Sequence, residues 1–143
     1  MMVAAGILTR QDGRVLISQR PAGKHMADAW EFPGGKITSS ETPLQGLVRE
    51  LDEELGIRVC YVRHMMQFTH AYPERTVHLH FWKVLGWDGE PSGREGQALR
   101  WLPVADLGQA DLLPADQVII DMLGNRSALN TMSWKTLVKA VRA

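Results

Sequence analysis

The chain has 143 residues, 45% of them hydrophobic, and its 16 basic and 16 acidic side chains give a formal net charge of zero. This length and composition indicate one globular domain that can bury a sizeable core. The balanced charge excludes the strongly basic field with which proteins hold polymeric nucleic acid, so free nucleotides are the more natural ligands.

Cysteine content and the N-terminal segment bear on the cellular compartment. The one cysteine, Cys60, excludes an internal disulfide and is compatible with a reducing cytoplasm, and we expect it to be buried in a strand. The apolar run near the N-terminus is far too short to span a membrane, and no charged region precedes it as in a signal peptide. We therefore expect a cytoplasmic protein with no membrane partner.

Two short β-prone runs open the chain. Residues 3–8 and 15–19 flank the pair Asp12-Gly13, which favours a hairpin turn, so we expect the first two strands to pair antiparallel. A loop at residues 21–33 follows them and leads to the first helix.

The first helix carries its own start and stop signals. Thr42 is a suitable N-cap, Pro43 suits the first helical position, and Gln45 completes a capping box with Thr42. Gly56 lies at a C-cap position, where the left-handed backbone conformation favours glycine. We expect the apolar residues of this segment to gather on one face, namely Leu44, Leu47, Val48, Leu51 and Leu55.

Strands return after this helix. The pattern predicts strands at 59–69 and 76–85 around a turn at 72–75, a loop at 88–97, a strand at 98–103, a helical turn at 104–107 and a helix at 116–123. This order predicts an α/β domain over residues 1–124, with helices flanking a mixed sheet. Residues 125–143 could form an amphipathic C-terminal helical extension or be the remnant of a linker.

Acidic side chains are concentrated in the first helix. At about 100° per residue, Glu50, Glu53 and Glu54 lie on one face, where they repel one another. A divalent cation would turn this repulsion into attraction, and carboxylate oxygens suit Mg²⁺ or Mn²⁺. The alternative is a solvated acidic helix face.

The spacing of the whole segment favours the metal site. Gly35 is followed after five residues by Glu41 and after seven more by Arg49-Glu50-Leu51; one residue then precedes Glu53-Glu54, and one more precedes Gly56-Ile57. This pattern matches every fixed position of the Nudix box, and the chain resembles the MutT-type branch of the Nudix hydrolase family. The segments outside the box that share this resemblance are residues 30–36, Arg20 with His25-Met26, and residues 72–75, 78–82, 93–97 and 113–116.

The resemblance implies a fold, a reaction and a set of residues. The fold would be a mixed β-sheet sandwiched between helices, and the reaction Mg²⁺-dependent hydrolysis of a nucleoside triphosphate to the monophosphate and pyrophosphate, with Mn²⁺ as a possible substitute. The implied metal ligands are Glu50, Glu53, Glu54, Glu95 and the backbone carbonyl of Gly35. Arg49 would hold the helix by pairing with a box carboxylate such as Glu41, and either Glu50 or Glu95 would be the general base.

Substrate recognition would need donors and an apolar pocket. Arg20, Lys36 and Arg75 are candidates for binding phosphate, and His25 for a contact with sugar or phosphate. The base would lie against Phe32, Tyr72, Val77, Leu79 and Asp116. Without the resemblance, Phe32, Val77 and Leu79 would be assigned to the core.

Asp116 leaves the base open. The best-known bacterial relative has an asparagine at this place, which both accepts and donates, whereas an ionised aspartate only accepts. The leading interpretation is hydrolysis of 8-oxo-dGTP, which cleanses the nucleotide pool and limits mutation. The alternatives are hydrolysis of CTP, dCTP or a modified cytosine nucleotide, and a non-catalytic nucleotide-binding accessory domain, which would have no need of all three helix glutamates.

Overall fold

The computed structural model describes residues 1–24 and 26–124. The predictions for His25 and for residues 125–143 lie outside the described residues. The elements follow in the order β1 (Met2–Leu8), β2 (Val15–Gln19), β3 (Trp30–Glu31), β4 (Gly34–Lys36), α1 (Pro43–Leu55), β5 (Arg58–Ala71), β6 (Thr76–Asp88), β7 (Leu99–Leu102), a 3₁₀ helix (Val104–Gln109) and α2 (Pro114–Gly124).

The strands form two sheets. Four strands pair in the order β4-β1-β6-β5, with β1 and β6 parallel and the other neighbours antiparallel, so this sheet is mixed. Three further strands pair antiparallel in the order β3-β2-β7. The predicted α/β fold with a mixed sheet is confirmed. Within the described residues, no helix has the length and apolarity needed to cross a membrane.

The two helices cover opposite faces of the mixed sheet. Leu47, Leu51 and Leu55 of α1 pack in one buried cluster with Trp82 of β6. Residues of α2 such as Ile119 belong to the other cluster, which includes the odd-numbered residues of β6: Val77, Leu79 and Phe81. Side chains of β6 therefore alternate between the two clusters, and this alternation divides the core into two layers.

The predicted pairing of the first two strands is wrong. β1 and β2 belong to different sheets, and only the single bridge between Thr9 and Val15 joins them. The turn does close, since the Arg10 N–H donates to the Arg14 carbonyl at 2.9 Å. The two edges of β1 are occupied by β4 and β6, so no edge of β1 remains for β2.

Cys60 is exposed, contrary to the prediction. It lies in β5, at the edge of the mixed sheet, where the pairing register with β6 shifts between Val59 and Tyr61. Such a bulge breaks the alternation of the strand, which explains why a strand pattern did not place this side chain correctly.

The predicted limits of α1 are confirmed in atomic detail. The Gln45 N–H donates to the Thr42 hydroxyl at 3.1 Å, and the Thr42 N–H donates to the Gln45 side chain at 2.8 Å. Gly56 ends the helix with φ 72° and donates its N–H to the Asp52 carbonyl. These caps fix the rotation of α1 on the sheet, and with it the direction in which its glutamates point.

Candidate active site

A cavity of about 450 Å³ opens where α1, the β3–β4 segment, β6 and the start of α2 meet. Its lining includes nearly all of the residues predicted for the site: Arg20, Phe32, Gly35, Lys36, Glu50, Glu53, Glu54, Tyr72, Arg75, Val77, Leu79, Glu95 and Asp116. Arg49 does not line it. Chain segments that are distant in sequence therefore bring the acidic, basic and apolar candidates to one place.

Arg49 ties the acidic helix to the preceding strand. Its guanidinium donates to both carboxylate oxygens of Glu41, at 2.6 and 3.0 Å, and to the Lys36 carbonyl at 2.9 Å. The hydrogen bonds from Arg49, with a backbone bond from Thr38, lower the pKa of Glu41 to about 2. The predicted ion pair between Arg49 and Glu41 is thus present, and it fixes α1 against β4.

The same guanidinium also lies between two carboxylates of α1 and bonds to both. Nη1 of Arg49 donates to Glu50 at 3.0 Å and to Glu53 at 3.1 Å. In residues 1–24 and 26–124, no three His, Cys, Asp or Glu side chains are already arranged around a point that could hold a metal ion. The positive charge between Glu50 and Glu53 is instead the guanidinium of Arg49.

Glu54 lies deeper than its neighbours. Burial raises the pKa of Glu54 to about 9, and the nearby charges of Glu50, Glu31 and Glu95 add to that rise. One of its oxygens accepts a long hydrogen bond from the Gly34 N–H, at 3.3 Å. A carboxyl in this position binds a proton in the absence of a better cation.

Gly35 leaves room for the carboxylate of Glu50. A Cβ atom at this position would overlap with the carboxylate carbon and oxygens of Glu50. Only glycine lets the backbone come this close. A set of carboxylates that repel one another, next to a backbone that approaches them, suits a hard divalent cation with oxygen ligands, so the residues fit Mg²⁺.

The other part of the cavity is apolar. Phe32, Val77 and Leu79 are buried and belong to the core cluster under α2, yet they also line the cavity. The assignment of these three residues to the core is confirmed, and the same cluster forms a wall of the cavity, so their contact with a base stays a prediction. Tyr72 packs against the same cluster, and burial raises the pKa of its hydroxyl.

Asp116 differs from the ionised aspartate assumed from sequence. Its side chain is 4% exposed, and one oxygen accepts the Phe32 N–H at 3.2 Å. Burial raises the pKa of Asp116 well above its usual range, and the charge of Glu31 raises it further. The nearby charge of Arg20 acts in the opposite direction but does not reverse the rise, so burial favours the protonated form of this carboxyl.

Glu31 is a cavity residue that the sequence analysis did not identify. It pairs with Arg20 at 2.9 Å, and the two side chains are only 24% and 22% exposed. Its charge acts on both Glu54 and Asp116, so it lies between the acidic and the apolar parts of the cavity. The available signal was one charged residue between Trp30 and Phe32. In an ordinary strand such a residue lies at a solvent-exposed position.

Comparison with known proteins agrees with this geometry. A family model described as the NUDIX domain matches residues 4–122. The 8-oxo-dGTP diphosphatase of Escherichia coli (strain K12) is 40% identical over 123 residues, which are 86% of this chain and 95% of that protein. The CTP pyrophosphohydrolase of the same organism is 40% identical over 119 residues, 83% of this chain and 87% of that protein.

Solved structures agree as well. A MutT structure, from work on the fish pathogen Aliivibrio salmonicida and on Vibrio cholerae, superposes with a TM-score of 0.74 at 34% identity, covering 85% of this chain and 94% of that one. The motif at residues 35–57, the fold and these comparisons together show that the chain belongs to the Nudix family.

Proposed function

We propose that this protein is a Mg²⁺-dependent nucleoside triphosphate pyrophosphohydrolase that converts 8-oxo-dGTP to 8-oxo-dGMP and pyrophosphate. The observation that carries the proposal is the cavity itself, in which an acidic group from α1 adjoins an apolar pocket with one buried carboxyl, Asp116. Removal of the oxidised nucleotide would keep it from DNA replication and so limit mutation, in the cytoplasm, where the nucleotide pool lies.

The acidic group supports phosphoanhydride chemistry. Glu50, Glu53 and Glu54, with Glu95 and the Gly35 carbonyl, are the ligands we assign to Mg²⁺. When bound, the metal neutralises phosphate charge and lowers the pKa of a coordinated water. Glu50 or Glu95 would take the proton of the attacking water, whose oxygen bonds to phosphorus as the anhydride bond between the α and β phosphates breaks. This gives the nucleoside monophosphate and pyrophosphate.

The basic residues of the cavity support phosphate binding. Arg20, Lys36 and Arg75 all line it, on three different segments of the chain. Arg20 is already oriented by its ion pair with Glu31, which reduces the entropy that substrate binding would cost. We assign these three side chains to the triphosphate. The role expected of His25 stays a prediction, because the residue lies outside the described ranges.

The raised pKa of Asp116, which favours its protonated form, supports an oxidised purine as substrate. An ionised carboxylate can only accept, which suits the N1 and N2 hydrogens of guanine and equally the exocyclic amine of cytosine. A neutral carboxyl has one O–H to donate and an oxygen to accept, as an asparagine amide does. The oxygen of Asp116 that accepts the Phe32 N–H leaves the other oxygen to face the substrate. Phe32, Tyr72, Val77 and Leu79 would then enclose the ring.

A second candidate substrate is CTP or dCTP. The observation that favours it is the 40% identity to a CTP pyrophosphohydrolase, equal to the identity to the 8-oxo-dGTP diphosphatase. A neutral carboxyl also pairs with the N3 and N4 groups of cytosine, so the residues of the pocket permit both bases. The two proposals share the reaction and differ in the nucleoside.

The test is kcat/KM with Mg²⁺ for 8-oxo-dGTP, dGTP, CTP and dCTP, with the products separated by chromatography. We expect at least a hundredfold preference for 8-oxo-dGTP over dGTP and release of pyrophosphate. A preference for the cytosine nucleotides would establish the second candidate. Absence of hydrolysis of all four, with nucleotide binding still measurable by calorimetry, would instead support a non-catalytic accessory domain.

A further inference from the structure

The loop between β6 and β7 is attached to the C-terminal end of α1. The last carbonyl groups of a helix have no partner within the helix and must find one elsewhere. Here the Glu54 carbonyl accepts the Arg94 N–H at 3.0 Å, and the Leu55 carbonyl accepts the Ser92 N–H at 3.0 Å. The loop that carries Glu95 is therefore held by the same turn of helix that presents Glu54 to the cavity.

Gln97 completes this attachment through its side chain. Its Nε2 donates to the Glu54 carbonyl at 3.0 Å, and its Oε1 accepts the backbone N–H of Glu95 at 2.9 Å. One amide group thus connects the peptide of one acidic cavity residue to the peptide of another. Gln97 is half-buried, whereas Glu95 is exposed.

We propose that Gln97 is a positioning residue that holds Glu95 at the acidic group of the cavity by bridging the Glu95 and Glu54 backbones. The inference rests on the proposed function, in which Glu95 is a metal ligand or the general base. It assigns to Gln97 no contact with substrate. Its effect on turnover would pass entirely through Glu95.

The structure explains why such a bridge is needed. Gly96, with φ 81°, follows Glu95 directly and donates its N–H back to the Gly93 carbonyl, which gives a tight turn with the acidic residue at its tip. The other bonds to α1 come from Ser92 and Arg94, before this tip. Without Gln97, the Glu95 N–H would bond to water, and the tip would be free to move away from Glu54.

The experiment is a double-mutant cycle with Gln97→Ala, Glu95→Gln and the two together. We expect Gln97→Ala to lower kcat about tenfold with KM changed less than twofold, as loss of two hydrogen bonds allows. In the Glu95→Gln background, the same change should have no further effect on kcat. Gln97→Glu, which keeps the acceptor for the Glu95 N–H and loses the donor to Glu54, should give an intermediate loss.

A second readout does not depend on turnover. Amide hydrogen exchange of the metal-free protein should be about tenfold faster at Glu95 in Gln97→Ala than in wild type. Ser92→Ala is the matched control, because it lies in the same loop and keeps its backbone bond to Leu55. It should change neither exchange at Glu95 nor kcat.

The outcomes separate this inference from the proposed function. Equal losses of kcat from Gln97→Ala in the wild-type and Glu95→Gln backgrounds would overturn it, because Gln97 would then act by another route. Unchanged exchange at Glu95 would overturn it as well. If wild type hydrolyses none of the nucleotides, the proposed function fails. The role of Gln97 is then decided by hydrogen exchange at Glu95 and by the Mg²⁺ affinities of the same four proteins of the double-mutant cycle.

Discussion

Replacing Glu54 by glutamine should stabilise the metal-free protein, and increasingly so as the pH rises. Burial and the neighbouring carboxylates raise the pKa of Glu54 from 4.5 to about 9. The folded protein therefore keeps a proton on this group that the unfolded chain loses above pH 4.5. Because the folded state binds more protons, stability falls as the pH rises between these two values. Glutamine keeps the shape and the acceptor for the Gly34 N–H but cannot ionise.

The magnitude follows from the size of the shift. Each pH unit between the unfolded and folded pKa values costs about 1.4 kcal/mol of stability. At pH 5.5 the cost attributable to Glu54 is about 1 kcal/mol, and at pH 7 it is about 3 kcal/mol. The stability difference between Glu54→Gln and wild type should thus grow by about 2 kcal/mol over this interval.

The assay is urea denaturation in EDTA at several pH values, monitored by tryptophan fluorescence. Asp52→Asn is the matched control, since Asp52 is exposed on the same helix and substitution of an exposed charge changes stability by less than about 1 kcal/mol. In a second series with Mg²⁺, wild type should gain more stability than Glu54→Gln, because ligand binding to the folded state stabilises it.

Parallel pH profiles would refute this reasoning. If the stability difference between Glu54→Gln and wild type is the same at pH 5.5 and pH 7, Glu54 is ionised in the folded protein. The argument from burial would then be wrong. A Mg²⁺ effect of equal size in both proteins would remove Glu54 from the metal ligands.

Three further substitutions test the site. Glu53→Gln should lower kcat by about two orders of magnitude or more in steady-state assays. It should shift Tm little, since the Glu53 side chain is 54% exposed. Near-normal turnover would contradict the assignment of Glu53 as a metal ligand. Asp116→Asn should keep activity and change the ratio of kcat/KM for 8-oxo-dGTP and CTP, and equal loss on both substrates would show that Asp116 does not read the base. Arg49→Lys should lower the free energy of unfolding at pH 7, because lysine cannot bridge Glu41 and the Lys36 carbonyl together. That difference should shrink as the pH falls from 4.5 toward 2, where Glu41 becomes protonated, and a constant difference in acid denaturation would contradict the ion pair.

Local features of the fold could be predicted from sequence, whereas strand partners could not. The caps of α1 depend on residues within four positions of each other, so Thr42, Gln45 and Gly56 indicated them correctly. The partner of β1 depends on which segments reach its edges, and β4, with three residues, is too short to show a strand pattern. A local turn signal at Asp12-Gly13 therefore led to the wrong sheet.

The site divides in the same way. Motif spacing identified the residues that line the cavity, because the motif fixes residue types at defined positions of α1 and its loops. Their protonation states depend on burial and on neighbours distant in sequence, which no spacing reveals. The pKa of Asp116 is raised first by burial and then by the charge of Glu31, which is 85 positions away in the chain. The position of Glu31 in the cavity was missed for the same reason.

The short segment between β3 and β4 connects the two parts of the cavity. The Phe32 N–H donates to Asp116, and the Gly34 N–H donates to Glu54, so two amides of one rigid segment reach both buried carboxyls. Pro33 lies between them, and its carbonyl accepts the Gly6 N–H of β1 at 2.8 Å, which anchors the segment to the mixed sheet. Three consecutive residues therefore link Asp116, which we propose reads the base, to Glu54, which we propose binds the metal. A change that shifts this segment should alter base preference and turnover together, although it touches neither carboxyl.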